Sequence, residues 1–207
     1  MNKPIVGFEH IYLDRQASTT LLLLHGTGGD ENDLLSLGEE LSGTYNILSP
    51  RGKVDEDGML RFFKRLSPGV FDKEDLKFRS TELGKFITEA SKTYNFSMEG
   101  VVAVGFSNGA SIALHLLASN PGVLSKAILL RPMSAGLPDE ISDLSSCYVL
   151  ALSGAMDTMI DSAGSKKITY MLQAKGAQVE FHELPGGHGL TTQDVVLAKG
   201  WLSKIGS

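Results

Sequence analysis

The sequence predicts an α/β protein with a mostly parallel central sheet, helices on both faces of that sheet and an antiparallel hairpin at its N-terminal edge. Short apolar runs alternate along the 207 residues with longer segments of helical periodicity, a pattern typical of parallel strands joined by crossover helices. The first two apolar runs are joined by Arg15-Gln16-Ala17-Ser18, which indicates the hairpin. We expect one domain covering residues 1–207, without internal repeats.

The individual elements follow from periodicity and from breaks at glycine and proline. Strand-like runs lie near residues 5–13, 19–24, 45–49, 100–106, 124–130, 147–153 and 178–184. Helical patterns lie near residues 31–42, 72–94, 108–119, 162–175 and 191–204.

The segment from Val101 to Leu114 runs from a β-branched apolar strand through Gly105-Phe106-Ser107-Asn108-Gly109 into a helix of small residues. This G-x-S-x-G pattern, flanked by a strand and a helix, is typical of a strained turn that exposes a nucleophilic serine. The helix N-terminus beside it offers free backbone N–H groups to a developing oxyanion. Ser107 is therefore the candidate nucleophile.

A carboxylate that could orient a catalytic base follows a later strand. The run Cys147 to Gly154 is strand-like and ends at Ala155-Met156-Asp157, so Asp157 lies at the carboxyl end of the predicted strand. Asp161 is an alternative for this role, and Asp157 could also cap the helix that follows. We favour Asp157 because it lies nearer the strand end.

The candidate base is His188. The strand-like run from Ala177 to Leu184 breaks at Pro185-Gly186-Gly187, and His188 follows in this glycine-rich loop. A glycine-rich loop suits a close-packed functional histidine better than a core position does. The chain thus carries a serine, an aspartate and a histidine in that order, each beyond the carboxyl end of a predicted strand.

A second glycine-rich loop follows the apolar run Thr19 to Leu24. It reads His25-Gly26-Thr27-Gly28-Gly29-Asp30, and we expect the backbone N–H of Thr27 to pair with that of Asn108 as an oxyanion hole. His25 is interpreted as an orienting residue, and Asp30 as the cap of the helix near 31–42. An ordinary glycine turn is the alternative interpretation of this loop.

Taken together, these motifs resemble the small carboxylesterase, phospholipase and thioesterase branch of the α/β-hydrolases, which is related in fold to dienelactone hydrolases. The order Ser107, Asp157, His188 is that of the α/β-hydrolases. The likeness spans nearly the whole chain and implies the α/β-hydrolase fold. The chain departs from the family pattern in having Asn108 where many members carry Gln, and Arg131-Pro132-Met133 where Ser-Gly often ends the strand.

Residues 50–72 are longer than an ordinary crossover connection requires. The segment leaves the carboxyl end of a strand at the edge where open α/β sheets bind ligands, and it carries Phe62 and Phe63. These rings could wall an acyl or aryl pocket or anchor the segment to the core. Met133 and Leu190, next to the predicted site, complete the expected substrate-binding residues.

Composition is that of a soluble enzyme domain. A net charge of −5 without a long basic run argues against nucleic acid as a partner. Neither a twenty-residue apolar stretch nor a signal-like N-terminus is present, so we expect no membrane span and a cytoplasmic location. The single Cys147 excludes an intrachain disulfide framework. The oligomeric state stays open, with a homodimer as one alternative.

The expected function is hydrolysis of a small-molecule ester through an acyl-enzyme formed on Ser107, with His188 as base and Asp157 orienting it. No metal or organic cofactor is implied. A thioesterase or a lysophospholipase would use the same machinery on another acyl donor, and a non-catalytic ligand-binding protein on this fold is the alternative from a different class.

Overall fold

The computed structural model describes residues 4–67, 69–160 and 162–205. Its strands are β1 His10–Leu13, β2 Thr20–Leu24, β3 Asn46–Pro50, β4 Val54–Glu56, β5 Met59–Arg61, β6 Arg65–Ser67, β7 Val70–Phe71, β8 Val101–Phe106, β9 Lys126–Leu130, β10 Tyr148–Gly154 and β11 Gln178–Leu184. Its α-helices are α1 Leu35–Leu41, α2 Lys73–Tyr94, α3 Asn108–Ser119, α4 Ser162–Gln173 and α5 Thr192–Ile205.

Within the described residues, the central sheet has seven strands in the order β1-β3-β2-β8-β9-β10-β11. All neighbouring strands are parallel except β1, which pairs antiparallel with β3. The predicted fold class is confirmed, including the antiparallel edge. Because the carboxyl ends of β2, β8, β10 and β11 lie along one edge of this sheet, the loops that follow them meet there.

The antiparallel edge differs from the expectation in its partner strand. β1 pairs with β3 and not with β2, which follows it in the chain. The connection between β1 and β2 crosses the start of β3, where the Asn46 side chain accepts hydrogen bonds from the backbone N–H groups of Arg15 and Ala17 at 2.8 and 3.2 Å. These bonds satisfy the backbone of the crossing segment and hold it over β3.

The two faces of the sheet bury separate apolar clusters, as alternation along each strand requires. One cluster contains Leu22 and Leu24 of β2 and packs against α2, α3 and α4. The other contains Leu21 and Leu23 and packs against α1 and α5. β2 itself is buried throughout, because helices cover both of its faces.

Helix α2 has clear stop and start signals. Its N-cap Asp72 accepts a hydrogen bond from the Asp75 N–H at 3.0 Å, and the residue that follows its last turn, Asn95, has a left-handed φ of 58°. The predicted start of α1 near residue 31 was wrong, since the helix begins at Leu35. Asp30 instead caps a preceding turn by accepting from the Asn32 N–H at 2.8 Å.

The long connection after β3 folds into two small antiparallel hairpins, β4–β5 and β6–β7. The first turns at Asp57 and Gly58, whose φ values of 54° and 82° are those of a type I′ turn. Asp-Gly between short strands is a recognised hairpin signal, so the sequence contained evidence for this element. We call residues 51–72 the hairpin segment.

Among the helices of the described ranges, none combines the length and the apolar character that crossing a bilayer requires.

Candidate active site

The turn at Ser107 brings helix α3 unusually close to the sheet. Ser107 lies between β8 and α3 with φ 53° and ψ −107°, a backbone conformation that costs energy for a residue with a Cβ. A Cβ on Gly105 would lie 2.6 Å from the Gly109 carbonyl oxygen, and one on Gly109 would overlap the Leu24 carbonyl oxygen. Glycine at both positions is what permits the turn.

Asp157 and His188 contact each other directly. Asp157 follows β10, His188 follows β11, and the His188 Nδ1–H donates to Asp157 Oδ2 at 2.8 Å. The Asp157 side chain is 1% exposed, whereas that of His188 is 21% exposed. Asp161, the alternative carboxylate, lies outside the described residues.

The Asp157 carboxylate is held in its charged form. Burial alone would raise the pKa of Asp157, but the hydrogen bond from His188 and those from the backbone N–H groups of Met159 and Ile160 together outweigh it. The pKa of Asp157 therefore lies below its ordinary value. Because the ionised carboxylate accepts the Nδ1–H, it stabilises the tautomer of the His188 ring that is protonated at Nδ1. Nε2 is then left for proton exchange.

Ser107 and His188 line one cavity of about 340 Å³. Three other residues expected at the site, Thr27, Asn108 and Met133, line the same cavity. The rest of its wall consists of Arg61, Arg65, Gly69, Phe71, Thr158, Met159 and Ile160. Residues from the connections after β2, β3, β9, β10 and β11 thus line one cavity together with Ser107, as the strand order at this edge of the sheet requires.

The backbone N–H groups of Thr27 and Asn108 have no hydrogen-bond acceptor within the described ranges. Asn108 is the first residue of α3, so its N–H is one of those that a helix leaves unpaired. The neighbouring N–H of Gly28 is occupied by the Leu60 carbonyl at 2.9 Å. Two unpaired donors on the wall of the cavity that holds Ser107 could bind an oxyanion.

His25 links the Thr27 loop to the hairpin segment. Its Nδ1–H donates to the Gly26 carbonyl at 2.7 Å, and its Nε2 accepts from the Gly52 N–H at 2.9 Å. Accepting at Nε2 requires the neutral ring. Burial lowers the pKa of His25, and the bond to Gly26 opposes this only in part. His25 thus joins the Thr27 loop to the hairpin segment, and it is not among the residues that line the cavity.

Phe62, Phe63 and Leu190, which we expected to contact substrate, are not among the residues that line this cavity. The Phe62 and Phe63 side chains are 2% and 0% exposed and belong to the core. Leu190 packs against the cluster on the opposite face of the sheet. Phe62 and Phe63 follow β5 in an irregular bend, where strand alternation does not apply, and both rings pack into the core. Arg61 and Phe71 of the same segment line the cavity.

The hairpin segment is anchored to both sides of the site. The Asn108 side chain, 3% exposed, accepts a hydrogen bond from the Phe62 N–H at 2.8 Å. Arg61 Nη1 donates to Thr27 Oγ1 at 2.8 Å. The amide oxygen of Asn108 therefore holds the hairpin segment in place. The G-x-S-x-G pattern did not predict this contact.

The loop that carries His188 is held by a buried arginine, Arg131, which in the sequence stood out only as a departure from the family pattern. The Arg131 side chain is 0% exposed and makes a bidentate pair with Asp194, with N–O distances of 2.7 and 3.0 Å. It also donates to the carbonyls of Gly187 and Gly189 at 3.1 and 3.0 Å. Arg131 thus contacts the residues on either side of His188.

The cavity also contains two cationic side chains, Arg61 and Arg65. The sequence places both arginines in the segment 50–72, but the direction of their side chains depends on the two hairpins. Within the described ranges, no group of three or more His, Cys, Asp or Glu residues is placed to hold a metal ion.

Comparison with known proteins identifies relatives over almost the full chain. Residues 11–205 match the family model described as phospholipase/carboxylesterase. MhqD of Bacillus subtilis (strain 168), a protein provisionally named as a hydrolase, is 43% identical over 193 residues, covering 93% of this chain and 96% of that protein.

Two crystal structures of carboxylesterases are similar in fold. The Bacillus cereus carboxylesterase has 41% identity and a TM-score of 0.92, with 95% of this chain and 94% of that chain covered. The Mesorhizobium loti carboxylesterase has 28% identity and a TM-score of 0.89, again with coverages of 95% and 94%.

We expect Arg131→Met to lower the free energy of unfolding by about 3–5 kcal/mol, because it leaves the Asp194 carboxylate buried without its cation. Urea unfolding monitored by circular dichroism measures this loss. Lys126→Met removes a cation from β9, the strand that precedes Arg131, at a partly exposed position and should change stability by less than about 1 kcal/mol. Equal effects of the two substitutions would contradict the assigned role of Arg131.

We expect His25 to make stability depend on pH. Since its pKa is lowered in the folded protein, the unfolded chain binds the proton more readily, and the free energy of unfolding falls as pH drops below about 6.5 toward the folded-state pKa. His25→Gln keeps an acceptor near Gly52 but does not titrate. Urea unfolding at pH 7.5 and 5.5 should therefore show a smaller pH-dependent loss in the variant, and an identical loss in both proteins would disprove the linkage.

Proposed function

This chain belongs to the phospholipase/carboxylesterase family of α/β-hydrolases, and from this premise we propose that it is a serine hydrolase of carboxylic esters. Its substrates are esters with small or medium acyl or aryl groups, and the reaction passes through an acyl-enzyme. One observation carries the proposal. Ser107, on a strained turn, shares a cavity with His188, which is bonded to a buried aspartate.

In the first half of the reaction, His188 Nε2 takes the proton from Ser107 Oγ while Oγ forms a bond to the ester carbonyl carbon. The carbonyl oxygen becomes an oxyanion, and the free N–H groups of Thr27 and Asn108 stabilise it. The C–O bond to the alcohol then breaks, and His188 returns the proton to the departing alcohol. The acyl group remains on Ser107.

In the second half, water replaces the alcohol. His188 takes a proton from the water, whose oxygen bonds to the acyl carbon, and the same oxyanion donors act again. The bond to Ser107 Oγ breaks, the serine regains its proton from His188, and the carboxylic acid leaves. Throughout, Asp157 keeps the Nδ1–H in place and stabilises the imidazolium that forms in each half-reaction.

The size of the cavity supports small or medium substrates. Its volume of about 340 Å³ lies near the lower end of the range of roughly 300–1,000 Å³ typical of ligand pockets. Phe71, Met133 and Ile160 supply apolar wall on which an acyl or aryl group can pack.

Ser107→Ala should lower kcat/KM for 4-nitrophenyl acetate by about 10⁴-fold or more, because it removes the nucleophile while leaving the oxyanion donors. Release of 4-nitrophenolate measures the rate, and mass spectrometry after treatment with a fluorophosphonate probe should locate the label on Ser107. Ser119→Ala, on the exposed end of the same helix, is the control and should behave as the unaltered protein. Retained turnover in purified, folded Ser107→Ala would refute the mechanism.

Asp157→Asn should lower kcat by about 10⁴-fold, since an amide permits the wrong tautomer of the His188 ring. Asp161→Asn, prepared in parallel, removes a charge only a few residues away and should leave the rate within a small factor. Steady-state kinetics on the same ester compares the two variants. If only the substitution at residue 161 impairs turnover, the orienting carboxylate is Asp161.

A further inference from the structure

We propose that the cavity selects esters that carry a carboxylate group near the ester bond, and that Arg61 and Arg65 bind this carboxylate. The inference rests on the proposed ester hydrolysis and names the class of substrate at the same site.

Among the described residues, the cavity wall contains cationic side chains but no acidic ones. Of the described residues that line it, Arg61 and Arg65 are permanently charged, and none is Asp or Glu. Asp157 lies behind the His188 ring and is committed to it by the 2.8 Å hydrogen bond. A substrate group that enters the cavity therefore meets positive charge beside an apolar wall, where electrostatic attraction is stronger than in water.

The two arginines share a single carboxylate. Arg61 Nε lies 3.3 Å from Glu56 Oε2, and Arg65 Nε lies 2.7 Å from Glu56 Oε1, so two cations face one anion. The Arg61 side chain is only 4% exposed. Burial lowers the pKa of Arg61, and the charge of Arg65 lowers it further against the opposing effect of Glu56. An additional anion would compensate the remaining positive charge.

Both guanidinium groups keep donors for such an anion. Arg61 uses Nε on the Phe63 carbonyl at 3.3 Å and Nη1 on Thr27, while Arg65 uses only Nε, on Glu56. Within the described ranges, Arg61 Nη2 and both terminal nitrogens of Arg65 have no hydrogen-bond partner. Terminal guanidinium nitrogens match the spacing of carboxylate oxygens and bind them bidentately.

The position of Arg61 places the bound group close to the reacting carbonyl. Arg61 donates to the side chain of Thr27, whose own backbone N–H is a proposed oxyanion donor. A carboxylate on the arginine pair is therefore near the ester bond, with a short carbon chain or ring between the two. Phe71 and Met133 line the same cavity and would contact that linking group.

The test compares matched pairs of esters that differ only in charge. For a carboxylate on the acyl side, the pair is the mono-4-nitrophenyl ester of adipic acid and the 4-nitrophenyl ester of adipamic acid, which share a leaving group. For a carboxylate on the alcohol side, the pair is 4-acetoxybenzoate and 4-acetoxybenzamide. We expect kcat/KM of the unaltered protein to favour the carboxylate in at least one pair by about tenfold or more, with the preference declining as NaCl is raised.

Arg65→Gln should reduce this selectivity ratio by about tenfold, chiefly through a higher KM for the carboxylate ester, because a contact made equally in the ground state and the transition state affects KM. Lys64→Gln removes the same charge from the adjacent residue, whose side chain is exposed and lies outside the cavity. The ratio should be unchanged in that control.

Inhibition of the unaltered protein gives a measurement that needs no variant. Glutarate should compete with 4-nitrophenyl acetate, more weakly at high salt, and glutaramide should not compete. A ratio near one in both pairs, an unchanged ratio in folded Arg65→Gln, or equal inhibition by glutarate and glutaramide would overturn the inference while leaving ester hydrolysis in place. Absence of turnover for every ester, together with absence of fluorophosphonate labelling, would instead overturn the proposed function and this inference with it.

Discussion

The close approach of helix α3 to the ends of β2 and β8 is the constraint on which the rest of the site depends. It exists because Gly105 and Gly109 have no Cβ where backbone carbonyls of β2 and α3 approach, and because Ser107 adopts φ 53° between them. The turn simultaneously exposes the serine side chain, leaves the Asn108 N–H unpaired and lets the amide of Asn108 reach the hairpin segment. Strain at one residue is thus offset by packing and hydrogen bonds around it.

Two further sets of contacts position the loops that complete the cavity. The buried Arg131 guanidinium bonds Asp194 and the carbonyls on either side of His188, so the loop after β11 is held at the same edge as Ser107. On the other side, His25 holds the hairpin segment by accepting from Gly52. Both are buried polar groups with several partners, which makes them sensitive to the loss of any one partner.

Much of this arrangement could be predicted from sequence because it depends on local patterns. The strands and helices follow from periodicity, and the G-x-S-x-G turn follows from a strand, two glycines and a helix in succession. By contrast, the pairing of β1 with β3 depends on the connection between β1 and β2. This connection crosses β3 and is held there by hydrogen bonds to the Asn46 side chain. The inward direction of Phe62 and Phe63 depends on two hairpins whose orientation is set by contacts with Thr27 and Asn108.

By itself, the sequence determined the α/β-hydrolase fold class and the order in which a serine, an aspartate and a histidine follow predicted strands. Hydrophobic periodicity and glycine placement are properties of short segments, and they therefore predict local structure from the sequence alone. Only the tertiary structure decided which side chains form the cavity wall and what holds the His188 loop. Arg61, Arg65 and Arg131 resemble ordinary basic residues in the sequence, and their burial and charge partners depend on segments far apart in the chain, which only folding brings together.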